Sequence, residues 1–153
     1  MTFSPDVLQI DAAAEVSFLT ETLRSQVLGE LRKKGLVVGI SGGIDSAVVA
    51  AIAARAFGKE RVLGLFMPER DSSGDSLTLG REVAAAFGLD TQVEDIAPAL
   101  DGIGCYARQE DAIRKVFPAY GKGWRCKITL PSVLEKDRLA ISMLTVESPD
   151  GKQ

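Results

Sequence analysis

The 153-residue chain is 46% apolar and carries 18 basic against 21 acidic residues, a formal charge of −3. That is apolar material enough for one core, without the positive excess that coats nucleic acid. Histidine is absent, which excludes imidazole acid–base catalysis, His-containing triads and His metal sites, and the two cysteines, Cys105 and Cys126, form no C-x-x-C pair and are too few for a zinc cage.

In chain order, the opening MTFSPDVLQIDAAAEV has neither a basic leader nor a continuous apolar stretch, so it does not read as a signal peptide. No run approaches the length of a membrane span. With two thiols that fit a reducing compartment, the reading is cytoplasmic, with no membrane and no nucleic-acid partner. Val16, Leu19, Leu23, Val27 and Leu31 recur at helical spacing, which predicts an amphipathic helix over about 11–34, stopped by Gly35. Residues 36–40 (LVVGI) predict a buried strand, and an alanine- and valine-rich helix follows from about 44 to Gly58. Residues 62–67 (VLGLFM) predict a second strand, ended by Pro68. Leu77, Val83, Ala84 and Phe87 mark a third helix, capped by Asp75 or Ser76 and stopped by Gly88. Residues 91–96 (TQVEDI) alternate like a third strand, with Pro98 closing it. Strand–helix–strand–helix–strand with short connections implies an α/β fold with a parallel sheet and right-handed crossovers. Ligands on such sheets bind at the carboxyl ends of the strands, here residues 41–46 and 67–71.

The turn after the first strand is the most specific feature. It reads Ser41-Gly42-Gly43-Ile44-Asp45-Ser46 and lies between a buried strand and a helix N-terminus. Small residues there let a ligand approach the backbone, and the helix dipole favours an anion. Neither the dinucleotide fingerprint G-x-G-x-x-G nor the Walker form G-x-x-x-x-G-K-[ST] is present. A carboxylate beside phosphates calls for a cation between them, and Mg²⁺ held by one carboxylate and several phosphate oxygens meets that need. In a plain connection the same residues would only turn the chain and cap the helix; position, residue types and flanking elements together favour the phosphate cradle.

The string S-G-G-x-D-S resembles the pyrophosphate loop of the N-type ATP pyrophosphatases, which split ATP between its α- and β-phosphates. Taken with GISGGIDSA at 39–47, FMP at 66–68, SSGDS at 72–76 and a helix closing on AAAFGLD, it is similar to the ATP half of an ammonia-dependent NAD synthetase over about residues 36–97. The resemblance implies a Rossmann-like sheet with flanking helices of the adenine nucleotide alpha hydrolase type. It implies ATP binding by Gly39, Ile40, Ser41, Gly42, Gly43, Ile44, Asp45 and Ser46, with Met67 at the adenine pocket and Asp45 on Mg²⁺. It names no covalent catalytic residue. The reaction it implies is an amide ligation: the carboxylate of deamido-NAD attacks ATP, giving an acyl-adenylate and pyrophosphate, and ammonia then releases AMP and NAD. A homodimer is implied in the same way.

Beyond Pro98 the pattern weakens. Residues 107–116 predict a short helix with acids early and bases late, 121–125 a loop, and 139–147 (LAISMLTVE) a strand before the turn signal Ser148-Pro149-Asp150-Gly151. Trp124 beside cations fits a core edge better than a base-stacking platform. Residues 101–138 hold 8 basic and 5 acidic side chains, equally suited to a phosphate-bearing substrate or a solvated surface. A final strand with no hairpin partner after it reads as a chain cut short, with an incomplete C-terminal part. The expected organisation is an N-terminal helix over 1–35, a nucleotide-binding core over 36–100 and a partial substrate or insert region over 101–153. Two other readings compete with the synthetase. One is another pyrophosphatase-loop enzyme that thiolates tRNA or transfers sulfur, which the unpaired cysteines and acidic charge do not support. The other is a non-catalytic nucleotide-binding or dimerisation module.

Overall fold

The computed structural model describes residues 9–129 and 142–151. The chain forms two compact units that divide between Pro98 and Ala99.

The first unit opens with α1 (Ala12–Arg24), whose N-cap Asp11 accepts from the Ala13 and Ala14 amides. The helix then widens into a π-helical stretch, Ser25–Glu30, which turns Val27 into the core at 4% exposure. It ends before Arg32, whose φ of 52° is left-handed, and so short of the expected stop at Gly35. Gly35 serves another purpose: a Cβ there would run into the Arg61 carbonyl, so its smallness lets two backbones pass. Then follow β1 (Leu36–Gly39), α2 (Ile44–Phe57), β2 (Val62–Phe66), α3 (Gly74–Ala86) and β3 (Asp90–Val93). The strands are parallel in the order β1-β2-β3, with Leu36 opposite Val62 and Leu63 opposite Asp90.

Two right-handed crossovers that step the same way along a sheet must lay their helices on the same face. Accordingly α2 packs on β1 and β2, α3 packs on β2 and on α2, and α1 packs on α2. The core lies between these helices and the strand residues Val38, Val62 and Phe66. Ala50 and Ala53 of α2 are fully buried, small enough to bring that helix close to the sheet. On α3 the close approach falls at Gly80, where a Cβ would sit 2.8 Å from Cε1 of Phe66, itself 2% exposed. Gly80→Val is expected to destabilise the fold by about 2 kcal/mol through overpacking, read from the urea midpoint.

Besides the shorter first helix, boundaries differ from expectation at α3 and after β3. The helix α3 has Ser73 at its N-cap, not Asp75 or Ser76, and the Ser73 hydroxyl pairs with that of Ser76 at 2.7 Å instead of capping an amide. The chain past β3 stays extended to Ile96, and Pro98 does not end it. Instead Asp95 accepts from the Ala97 amide at 2.9 Å and Pro98 lies in the first turn of α4 (Ala97–Gly102), where its missing N–H costs nothing.

In the second unit, α5 (Cys105–Arg114) is followed by an antiparallel pair, β4 (Arg125–Thr129) and β5 (Met143–Glu147). β4 falls partly on the expected loop. It also supplies the partner that β5 was expected to lack, because the pairing strand comes before it. Residues 139–141 of the predicted strand lie outside the described residues. Ser148 to Gly151 form the expected turn, closed by the Gly151 amide on the Ser148 carbonyl at 2.8 Å. Trp124 is half-buried with its ring 6.1 Å from that of Tyr120. Cys105 and Cys126 are free thiols. Among the described residues no helix is long and apolar enough to cross a membrane.

Candidate functional site

The β1–β2 ladder continues one residue past the strand, since the Ile40 amide donates to the Leu65 carbonyl at 3.0 Å. The chain then leaves the sheet at Ser41, turns through Gly42 at φ 81°, and enters α2 through Gly43, the N-cap. The two glycines differ in kind. A Cβ on Gly42 would lie 2.5 Å from the Ser76 carbonyl oxygen and 3.1 Å from Leu79 Cβ, so both space and conformation demand glycine. A Cβ on Gly43 would meet only the Ser41 hydroxyl, at 3.4 Å. Gly43 therefore keeps the loop bare on its open side, while Gly42 wedges it against α3.

Two serines hold this turn in shape. The Ser41 amide donates to Ser46 Oγ at 3.2 Å, and the two hydroxyls are 3.1 Å apart. The Ser46 hydroxyl donates to the Gly43 carbonyl at 2.9 Å, and the Gly43 amide donates to Ser41 Oγ at 3.3 Å. Gly43 offers no side-chain cap, so the first-turn amides of α2 are left for another acceptor. Asp45 lies in that first turn, exposed. Among the described residues there is no group of three or more His, Cys, Asp or Glu side chains able to hold a metal ion. A lone exposed carboxylate at a helix N-terminus suits a Mg²⁺ that arrives on phosphates, not one caged by protein.

Beside the loop a cleft of about 150 Å³ opens at the carboxyl ends of β1 and β2. It is lined by the apolar residues Ile40, Phe66, Met67, Pro68 and Leu77 and by the hydroxyl-bearing Ser41, Ser72, Ser73 and Ser76. The lining thus combines five apolar residues with four serines, a mainly apolar pocket carrying a few polar groups. Met67 is 48% exposed and reaches across to β1, its Cε 3.3 Å from where a Gly39 Cβ would stand. Thus Gly39 and Met67 meet, and Ile40 and Ser41 share the cleft wall with Met67. Ile44 does not join them: its side chain is 79% exposed. The sequence reading counted 72–76 (SSGDS) in the resemblance and gave Ser76 a capping role, but did not name Ser72, Ser73 or Ser76 among the site residues. The available signal was a hydroxyl cluster at the carboxyl end of a parallel strand.

The family model for NAD synthase matches residues 15–117. Among curated proteins, the NH(3)-dependent NAD(+) synthetase of Mesorhizobium japonicum is 60% identical over 146 residues, which are 95% of this chain and 46% of that protein. That of Rhizobium rhizogenes is 51% identical over 98% of this chain and 45% of its own length. The chain thus spans about half the length of the curated relatives it matches. Among solved structures, the NH3-dependent NAD synthetase of Campylobacter jejuni, in complex with nitrate, superposes with a TM-score of 0.57 at 27% identity, covering 71% of this chain and 50% of that one. The glutamine-dependent NAD+ synthetase of Acinetobacter baumannii, in complex with ADP, gives 0.56 at 25%, covering 80% and 22%.

Proposed function

The chain belongs to the NAD synthase family, and from that premise we propose that it carries the ATP-binding part of an ammonia-dependent NAD synthetase. The observation that carries this reading is the pre-shaped turn 41–46, pinned by Ser41 and Ser46 and open at the N-terminus of α2, beside a cleft lined by apolar residues and serines. In it, the amides of Gly42, Gly43 and the first turn of α2 receive the β- and γ-phosphates, with the Ser41 and Ser46 hydroxyls. Asp45 holds the Mg²⁺ that neutralises them. The cleft takes the adenosine, with the base against Met67, Phe66 and Ile40 and the ribose toward Ser72, Ser73 and Ser76.

A Mg²⁺ held by Asp45 would supply charge neutralisation on the departing pyrophosphate, and the chain's own groups position and polarise. The carboxylate of deamido-NAD attacks the α-phosphorus, pyrophosphate leaves into the loop, and ammonia displaces AMP from the acyl-adenylate. No side chain here forms a covalent bond, which suits a chain without histidine. That an NAD synthetase of similar fold holds ADP supports the nucleotide site. A homodimer and a cytoplasmic location complete the reading. The first is supported by an apolar strip on α2, Ile44, Val48 and Val49, each more than half exposed.

The test is competition at equilibrium. Inorganic pyrophosphate with Mg²⁺ is expected to displace Mg-ATP from the chain, since both occupy the loop. ATP binding that pyrophosphate leaves untouched would place the phosphates elsewhere and overturn the assignment of the loop.

A further inference from the structure

The antiparallel pair of the second unit has two unlike faces. Register sets Cys126 opposite Val146, and this face turns inward: Val146 is 5% exposed, and the Gln109 side chain of α5 reaches Cys126 Sγ at 4.0 Å. The alternation of the strands sends the pairs Arg125–Glu147 and Lys127–Thr145 to the opposite face. A concavity of about 210 Å³ lies there, lined by those four residues and by Cys126 between the two cations. Arg125 and Lys127 are exposed, and Thr145 and Glu147 are half-buried. None of these four side chains makes a hydrogen bond or an ion pair among the described residues. Opposite charges that face each other across two antiparallel strands ordinarily pair, and Arg114 in α5 does pair, with Glu110 and Asp111. Arg125 and Glu147, directly opposed, stay apart.

Two cations and a hydroxyl around one carboxylate do not suit a metal ion, which the cations repel. They suit an anion long enough to meet both cations, since two residues along a strand set Arg125 and Lys127 about 7 Å apart. The carboxylate only accepts, so it needs hydroxyl donors on the same ligand. A diphosphate attached to a ribose has both parts: oxygens for guanidinium, ammonium and hydroxyl, and a diol for a carboxylate. The hairpin lies beyond residues 15–117, where the family model matches, yet the match with the Rhizobium rhizogenes relative covers 98% of this chain, hairpin included.

We propose that this face of β4–β5 is a nucleotide site, in which Arg125, Lys127 and the Thr145 hydroxyl hold a diphosphate and Glu147 accepts from the hydroxyls of the ribose it carries. The synthetase reading enters only in the choice of ligands to try: deamido-NAD, the acceptor of the proposed reaction, and ADP. Amide-resolved NMR of the whole chain, titrated with each in turn, is expected to give saturable shifts at residues 125–127 and 145–147. Deamido-NAD acting alone makes this a site for the acceptor, ADP acting alone a site for adenine nucleotide, and both acting a site for the ribosyl diphosphate they share. Arg125→Gln combined with Lys127→Gln is expected to weaken binding here roughly tenfold or more. The melting temperature should not move, because both side chains are exposed and unpaired. Glu147→Gln separates the ribose contact from plain charge: it should tighten inorganic diphosphate, by removing a repulsion, and weaken the nucleotide. Inorganic diphosphate that binds the parent as tightly as the nucleotides do overturns the role of Glu147. Shifts that survive the double substitution, or no shift at β4 and β5 with either nucleotide at millimolar concentration, overturn the site. Shifts at β4 and β5 without any at 41–46 under Mg-ATP support this site and count against the assignment of the loop.

Discussion

Asp45→Ala should abolish the Mg²⁺-dependent part of ATP binding and leave the fold standing. Asp45 is exposed in the first turn of α2, where its only structural contribution is a favourable charge against the helix dipole, about 0.5 kcal/mol. In the site its contribution is larger, because a carboxylate a few ångströms from triphosphate is repulsive until a cation lies between them. In Mg²⁺ the substitution is expected to weaken ATP by roughly a hundredfold, about 2.7 kcal/mol. In EDTA the order should invert, the variant binding free ATP slightly better than the parent because the repulsion is gone. Calorimetric titration under both conditions reads this directly. Equal affinity of parent and variant in Mg²⁺ would remove Asp45 from the metal.

Gly42→Ala should damage stability and binding together. The alanine must adopt φ near 81°, which costs about 1 kcal/mol or more for any residue with a Cβ. The added carbon also falls 2.5 Å from the Ser76 carbonyl oxygen. That neighbour is backbone in the first turn of α3, so relief requires the loop and α3 to move apart. A combined loss of about 3 kcal/mol is expected from urea unfolding. Because Ser73 and Ser76 in the same turn line the cleft, ATP affinity should fall even where the variant remains folded. Gly43→Ala, with only the Ser41 hydroxyl at 3.4 Å, should be the milder for stability. A Gly42→Ala protein as stable as its parent would show that loop and helix are not wedged as the geometry has them.

How much of this was legible in the sequence follows from how local each signal is. The strand-to-helix turn 41–46 was, because its shape depends on residue types at fixed spacing between two strongly patterned elements, β1 and α2. The parallel sheet was legible too, from apolar strands alternating with helices. The end of the first helix was not: Gly35 is the residue a C-cap favours, yet its smallness is taken by the passing Arg61 backbone, and Arg32 bends instead. Pro98 was misjudged because proline both ends strands and begins helices, and Asp95 on the Ala97 amide decides between them. β4 was hidden by its composition. Arg125, Lys127 and Thr129 alternate with Cys126 and Ile128, but two flanking glycines and the charges suggested a loop. Its partner β5 begins only at Met143, beyond the reach of a tight hairpin signal. Ser72, Ser73 and Ser76 were not named as site residues, because their sharing a cleft with Met67 and Ile40 depends on the strands lying side by side, which residue types alone do not report.

The site assignment stands or falls on where the nucleotide touches the chain, and amide-resolved NMR during a Mg-ATP titration reports that residue by residue. Saturable shifts are expected at the amides from Ser41 to Ser46, with a second group from Met67 to Ser76. Shifts confined to other residues, or none at millimolar Mg-ATP, would contradict the assignment of this turn as the pyrophosphate site.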